Sequence, residues 1–187
     1  LEAWLEDLHG RADFNHVLGS VHPHLKDYKE RYFTGDFEAF RRTYFEHLAM
    51  AAETGLFDTI AHPDLVKAVE PAQWSYELFA DAIRDCLDRI AATGTAMELN
   101  TSGLNKPIGE VYPGPEMLGE MHERGIPVVM GADAHDPHRV SANFEDALEL
   151  LANAGYTQVS FFLNRQRQDH PIDRVLDSLV AESAIPA

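Results

Sequence analysis

The stretch Pro127-Val128-Val129-Met130-Gly131-Ala132-Asp133-Ala134-His135-Asp136-Pro137 is an apolar run that ends in glycine and then presents an acid and an imidazole. It reads as a buried strand whose end carries chemistry. Residues two apart in a strand point the same way, so Asp133 and His135 are expected to project together from its C-terminal tip. A carboxylate oxygen and an imidazole nitrogen aimed at one point suit a metal ion. Asp-x-His alone is a common polar strand exit, so recurrence has to carry the argument.

The pattern does recur. Asn15-His16-Val17-Leu18-Gly19-Ser20-Val21-His22 is a second short apolar run closing on a histidine, and Leu56-Phe57-Asp58-Thr59-Ile60-Ala61-His62-Pro63-Asp64 is a third. In parallel α/β architectures the C-terminal ends of the strands gather on one face, where the loops build the site. His22, His62, Asp133 and His135 are therefore expected to converge.

A chain of 187 residues with 45% hydrophobic content can bury one sizeable core, and residues 1–187 read as a single domain. No apolar run approaches the roughly 18 residues of a spanning helix, and Leu1-Glu2-Ala3-Trp4 lacks the basic head of a signal peptide, so a cytoplasmic setting without membrane contact is expected. The single Cys86 lies in a helical pattern beside Leu87 and Ile90 and reads as a buried, inert thiol. A formal net charge of -16 repels nucleic acid unless basic residues cluster, and the densest groups, Arg41-Arg42 and Arg165-Gln166-Arg167, are small. No nucleic-acid partner is expected. An acidic protein acting on a phosphate ester needs local cations, which bound metals supply.

In chain order, Leu1 to Leu8 has helical apolar spacing, followed by a first strand from Phe14 to Val21 and a polar, aromatic loop from His22 to Gly35. A helix standing first, with no strand before it, suggests that earlier units of the fold are missing. Asp36 is a plausible cap for a helix from Phe37 to Thr54 with a stripe of Phe40, Tyr44, Leu48 and Ala51. His47 falls beside that stripe and reads as a satisfied histidine, and His24 as a loop histidine. Strand two, Phe57 to Ala61, precedes a long helix that Ser75 caps and that stops near Gly94; strand three is Ala96 to Asn100. Pro115 suits the first turn of a helix to Glu123. A further helix around Phe144 to Leu151, strand five at Thr157 to Phe162 and a last helix from Ile172 to Val180 complete five alternating units. That alternation predicts a parallel sheet or an α/β barrel. No Gly-x-Gly-x-x-Gly and no Gly-Lys-Ser/Thr loop follows any strand, so metal chemistry is favoured over nucleotide binding.

Gly-Ser-Val-His (19 to 22), Ala-His-Pro-Asp-Leu-Val-Lys (61 to 67), Glu-Leu-Asn-Thr-Ser-Gly-Leu (98 to 104) and Gly-Ala-Asp-Ala-His (131 to 135) together resemble the PHP (polymerase and histidinol phosphatase) family over nearly the whole chain. The Asn-Thr-Ser-Gly-Leu stretch followed by Glu110-Val111-Tyr112-Pro113 is what resembles its histidinol-phosphatase branch. The resemblance implies a distorted (β/α)7 barrel of which this chain carries the C-terminal five strand-helix units, the N-terminal strands being missing. It also implies up to three divalent metals, Zn, Mn or Fe, at the strand ends: His22 and His62 on one, Asp133 on a second, His135 on a third. The family's opening His-x-His strand and bridging glutamate have no counterpart here, which leaves a missing N-terminal segment, or a second copy of the chain, as the expected partner.

The activity so implied is hydrolysis of a small phosphate monoester, L-histidinol phosphate, in histidine biosynthesis, by water activated on the metals. Asp133 and His135 are the candidate groups for handling protons, with ligand duty placed first. Lys106 and Arg139 are candidate phosphate contacts, although the resemblance would put an arginine where Asn105 sits. Glu98 stands as either a contact for the substrate's ammonium or an acceptor for a neighbouring backbone donor. Two alternatives belong to other classes: a PHP-type phosphodiesterase or exonuclease, against which the acidic balance argues, and a non-catalytic binding module.

Overall fold

The apolar run after Pro127 folds as a strand, Val128–Gly131 (β4), in a computed structural model that describes residues 2–183. Its neighbour is Ala96–Asn100 (β3), every residue of which is buried, as a strand covered on both faces requires. Leu18–Gly19 (β1), Thr59–Ile60 (β2), β3, β4 and Gln158–Leu163 (β5) are parallel neighbours in sequence order, and Gln166–Pro171 (β6) closes the row antiparallel to β5. The five expected strands are present in the expected parallel sense. The sixth was not expected.

β1 and β2 are shorter than the sequence predicts, for a local reason. Asp58 accepts the backbone N–H of Val17 on its own carboxylate at 2.8 Å, taking over a donor that a longer ladder would use. The 22–35 stretch, read as a loop, contains a short helix, Lys26–Tyr32 (α2), with no buried residue and hence no apolar stripe to reveal it. Around these lie Glu2–His9 (α1), Phe37–Glu53 (α3), Tyr76–Thr93 (α4), Pro115–Glu123 (α5), Phe144–Asn153 (α6) and Ile172–Ser183 (α7).

The cap of α3 forms as expected: Asp36 accepts from the N–H groups of Glu38 and Ala39 at 2.8 and 3.1 Å. That of α4 does not. Ser75 occupies the cap position but donates its hydroxyl to the Glu77 carboxylate at 2.6 Å instead of accepting from the backbone. α3 and α4 bury Tyr44, Phe45, Leu48, Phe79, Ile83, Leu87 and Ile90 together, and Cys86 sits among them with its thiol pushed up by burial. Arg41, half of one of the densest basic groups, is buried. Its guanidinium donates to the carbonyls of Val69, Glu70 and Gln73 and so ties the connection after β2 to α3.

The sheet curls until its two ends meet. At the β5–β6 turn, the N–H groups of Asn164 and Arg165 donate to the side chain and carbonyl of Asn15 at 3.0 and 2.9 Å, and the Arg165 guanidinium pairs with Asp58 at 2.8 Å. His16 completes this latch, stacked on Phe162 at 4.8 Å and hydrogen-bonded to the Thr59 hydroxyl at 2.8 Å. Burial holds the His16 imidazole below its ordinary pKa, Asp58 opposing and Arg165 reinforcing the shift. A histidine with a depressed folded pKa contributes stability that is fully present above its unfolded value, about 6.5, and is lost as pH falls through the folded value. The urea midpoint of the protein is therefore expected to fall further between pH 7 and pH 5 than that of His16→Gln. Parallel pH dependence in the two would remove the role.

Candidate metal centre

Parallel pairing aligns Gly19 with Ile60, Ile60 with Met97 and Asn100 with Gly131, so the segments that follow these residues leave the sheet on one side. His22 and His62 emerge there from adjacent strands with ring centroids 5.0 Å apart, and His24 stacks edge-on against His22 at 5.5 Å. His62 is 6% exposed, with φ of 32°, a left-handed conformation that non-glycine residues adopt only when their surroundings hold them. What holds it is Glu98, which accepts the His62 N–H on Oε2 at 2.9 Å and, on the same oxygen, the Asn100 side-chain amide at 2.9 Å. Glu98 thus satisfies a backbone donor, and no ligand contact is needed to account for its burial. Burial pushes its carboxyl up, and the charge of Asp133 adds to the shift.

Gly131 is what gives Glu98 room. A Cβ there would overlap Glu98 Oε1. Gly131→Ala is expected to cost about 1–3 kcal/mol by overpacking, and nearly nothing on a Glu98→Ala background. Urea unfolding of the four proteins checks it, and equal costs on both backgrounds would show that the contact is not the cause.

Burial, seconded by the nearby His22, lowers the His62 imidazole to about 4, so the ring is neutral at physiological pH and its nitrogens keep a lone pair for a cation. Asp133 and Lys106 also bear on this ring by their charge. Contrary to the alternation expectation, Asp133 and His135 do not share a strand face. β4 ends at Gly131 and Asp133 has φ of 44°, so the two-residue period stops before it starts to count. His135 bends back, its Nδ1 2.8 Å from the Asp133 carbonyl, and its side chain is 86% exposed. Among the described residues no three of His, Cys, Asp or Glu close on one point. The structure brings His22 and His62 together, sets Asp133 close enough for its charge to bear on His62 and leaves His135 turned outward.

Beside them opens a cavity of about 320 Å³ lined by Ser102, Asn105, Lys106, Asp133, His135 and Arg139 among others. Lys106 stands 3.9 Å from the Asp133 carboxylate and 3.3 Å from the Ser102 hydroxyl. Both partners of that ion pair are more than a third exposed, so it adds little stability and leaves the ammonium free to exchange partners. Sequence reasoning missed the layer beneath. Lys67 is wholly buried, 2.8 Å from Asp64 and 2.5 Å from Glu110. The available signal was the Asp64-x-x-Lys67 spacing directly after His62, which places both groups on one side of the single turn of 3-10 helix Leu65–Ala68.

One orphaned atom tests the metal expectation. Among the described residues the buried His62 Nδ1 finds no hydrogen-bond partner, which costs free energy unless a cation or water supplies one, and a neutral imidazole beside a second imidazole is a fitting donor set for zinc.

No family model matches the chain. It is 36% identical to a protein of Deinococcus radiodurans described as a probable histidinol-phosphatase, over 91% of this chain and 65% of that one. It is 31% identical to the histidinol-phosphatase of Bacillus subtilis, over 66% of this chain and 51% of that one. The crystal structure of histidinol phosphate phosphatase from Lactococcus lactis, complexed with zinc, L-histidinol and phosphate, superposes with a TM-score of 0.75 at 20% identity, covering 89% of this chain and 66% of that one.

The chain is similar in sequence and in fold to histidinol-phosphatases.

It spans just under two thirds of the Deinococcus relative and about half of the Bacillus one. At 20% identity the Lactococcus likeness speaks for the fold, a parallel strand sheet with helices shared with a histidinol-phosphatase family structure. Among the described residues no helix is long and apolar enough to cross a membrane.

Proposed function

We propose that the protein is a metal-dependent phosphomonoester hydrolase acting on L-histidinol phosphate in histidine biosynthesis. The observation that carries this reading is the His22–His62 pair at adjacent strand ends, one ring neutral and with a buried nitrogen that finds no hydrogen-bond partner among the described residues. The likeness to histidinol-phosphatases and the zinc, L-histidinol and phosphate bound to the Lactococcus protein support it. His22 and His62 would hold one metal, with Asp133 and the outward-turned His135 as further ligands. Zinc, manganese or iron bound there would neutralise the non-bridging oxygens of a phosphate and lower the pKa of water.

The chain's own residues do the rest. Glu98 fixes the His62 turn through its backbone N–H. Lys106 and Arg139 line the neighbouring cavity and bind phosphate oxygens, Lys106 exchanging Asp133 for the ligand. Asp133, exposed at the cavity wall, takes the proton of the attacking water and delivers it to the leaving alkoxide oxygen when it is not engaged as a ligand. Residues 1–187 act as one domain, a reading supported by the latch that joins Asn15 to the β5–β6 turn.

Phosphate release from L-histidinol phosphate and from a nucleotide phosphodiester, measured on the full natural protein with added zinc, tests the proposal. Preference for the monoester is expected. Preference for the diester would reassign the site, and a stably folded protein that takes up no metal would make it a binding module.

A further inference from the structure

The cluster beneath the cavity performs a task that the metal site does not explain. The segment 110–114 is fastened at four points by two neighbouring parts of the chain. Lys67 Nζ donates to the Glu110 carboxylate at 2.5 Å and to the Val111 carbonyl at 2.6 Å. Tyr112 exchanges two backbone hydrogen bonds with Asn100, the last residue of β3, at 2.6 and 2.9 Å. Asp64 accepts the Gly114 N–H at 2.8 Å. These anchors fix both ends of the loop from Thr101 to Gly109, which carries Ser102, Asn105 and Lys106 to the cavity.

The packing leaves that loop little freedom at its base. A Cβ on Gly103 would overlap the Glu110 carbonyl oxygen and meet the Tyr112 ring at 2.8 Å. The Tyr112 ring lies within 5.1 Å of Lys67 Nζ and 5.7 Å of Lys106 Nζ, so it connects the buried ammonium to the exposed one. Tyr112 itself is fully buried.

We propose that Lys67 is a positioning residue for anion binding, clamping segment 110–114 through Glu110 and the Val111 carbonyl so that the 101–109 loop presents Lys106 to the cavity. The clamp stands on the structure. What the loop holds, a phosphate, rests on the phosphatase reading.

Glu110 is the place to test it, because its side chain is 39% exposed and its replacement leaves the Lys67–Asp64 pair in place. In Glu110→Ala, amide hydrogen exchange over residues 100–112 is expected to accelerate about tenfold or more, while amides of Ala96 to Leu99 in β3 and of α4 keep their rates. Glu110→Gln retains an acceptor for Lys67 and is expected to restore most of the protection. Affinity for inorganic phosphate, followed by NMR titration, is expected to weaken about fivefold to tenfold in Glu110→Ala, the scale set by immobilising one long side chain, and to recover in Glu110→Gln.

Unchanged exchange in Glu110→Ala, or acceleration spread over the whole chain, overturns the clamp. A released loop with undiminished phosphate affinity overturns its positioning role. A released loop in a protein that binds no phosphate in any of the three forms overturns the role in anion binding together with the phosphatase reading, and leaves a structural clamp alone.

Discussion

Replacing His62 by asparagine is expected to weaken zinc binding by about 100-fold or more, beyond what loss of an outer-shell partner brings. Asparagine is the replacement of choice because His62 has a φ of 32°, which asparagine tolerates and alanine does not, so that the loss reports on the imidazole and not on the backbone. The neutral state of the ring predicts a second feature. Since burial holds His62 near 4, zinc should displace no proton from it above about pH 6, and affinity should be nearly independent of pH there as far as this ligand is concerned. Competition with a chromophoric chelator at two pH values measures both quantities. Equal zinc affinity in the variant and in a control at exposed His138 would take His62 out of the site.

The second large effect lies one layer down. Lys67→Met removes the cation beside a carboxylate that is 4% exposed, leaving Asp64 with the Gly114 N–H as its remaining partner among the described residues. Breaking a buried pair from one side costs about 3–5 kcal/mol, because the surviving charge stays desolvated. Combining Lys67→Met with Asp64→Asn removes that charge while keeping an acceptor for Gly114, and it is expected to recover more than half of the loss. Urea unfolding of the two single variants and the double variant gives the coupling. A loss below about 1 kcal/mol in Lys67→Met would mean that water reaches the pair after all.

The elements that the sequence disclosed most completely are those in which several signals agreed. α3 has a carboxylate cap, an apolar stripe and a glycine beyond its end; β3 has five buried residues between a glycine-ended helix and a polar turn. β6 escaped because Gln166–Pro171 is exposed along its whole length and shows no alternation between apolar and polar residues. Its pairing is decided by the β5–β6 turn, whose Asn164 and Arg165 both take left-handed backbone conformations. At the site, strand-end histidines were legible from runs that stop on an imidazole, and the structure puts His22 beside His62. The relation of Asp133 to His135 was not legible, since an alternation argument holds only while the backbone stays extended. Lys67 and Asp64 were hidden for a different reason. A Lys and an Asp three residues apart read as a solvated surface pair, and only the tertiary placement of segment 110–114 over them turns them into a buried cluster.

The bonds between Asn15 and the β5–β6 turn join positions 149 residues apart, and this sets a schedule for the molecule's birth. At a synthesis rate of about 5–20 residues per second, β1 must wait roughly 7 to 30 seconds on the ribosome for the hairpin that fastens Asn15. Until then Asn15 lacks its partners on the β5–β6 turn, and Leu18 on β1 stays exposed even in the finished fold. Nascent chains of this protein should therefore depend on chaperone cover until the hairpin has emerged, and dilute refolding should outperform concentrated refolding by a wide margin.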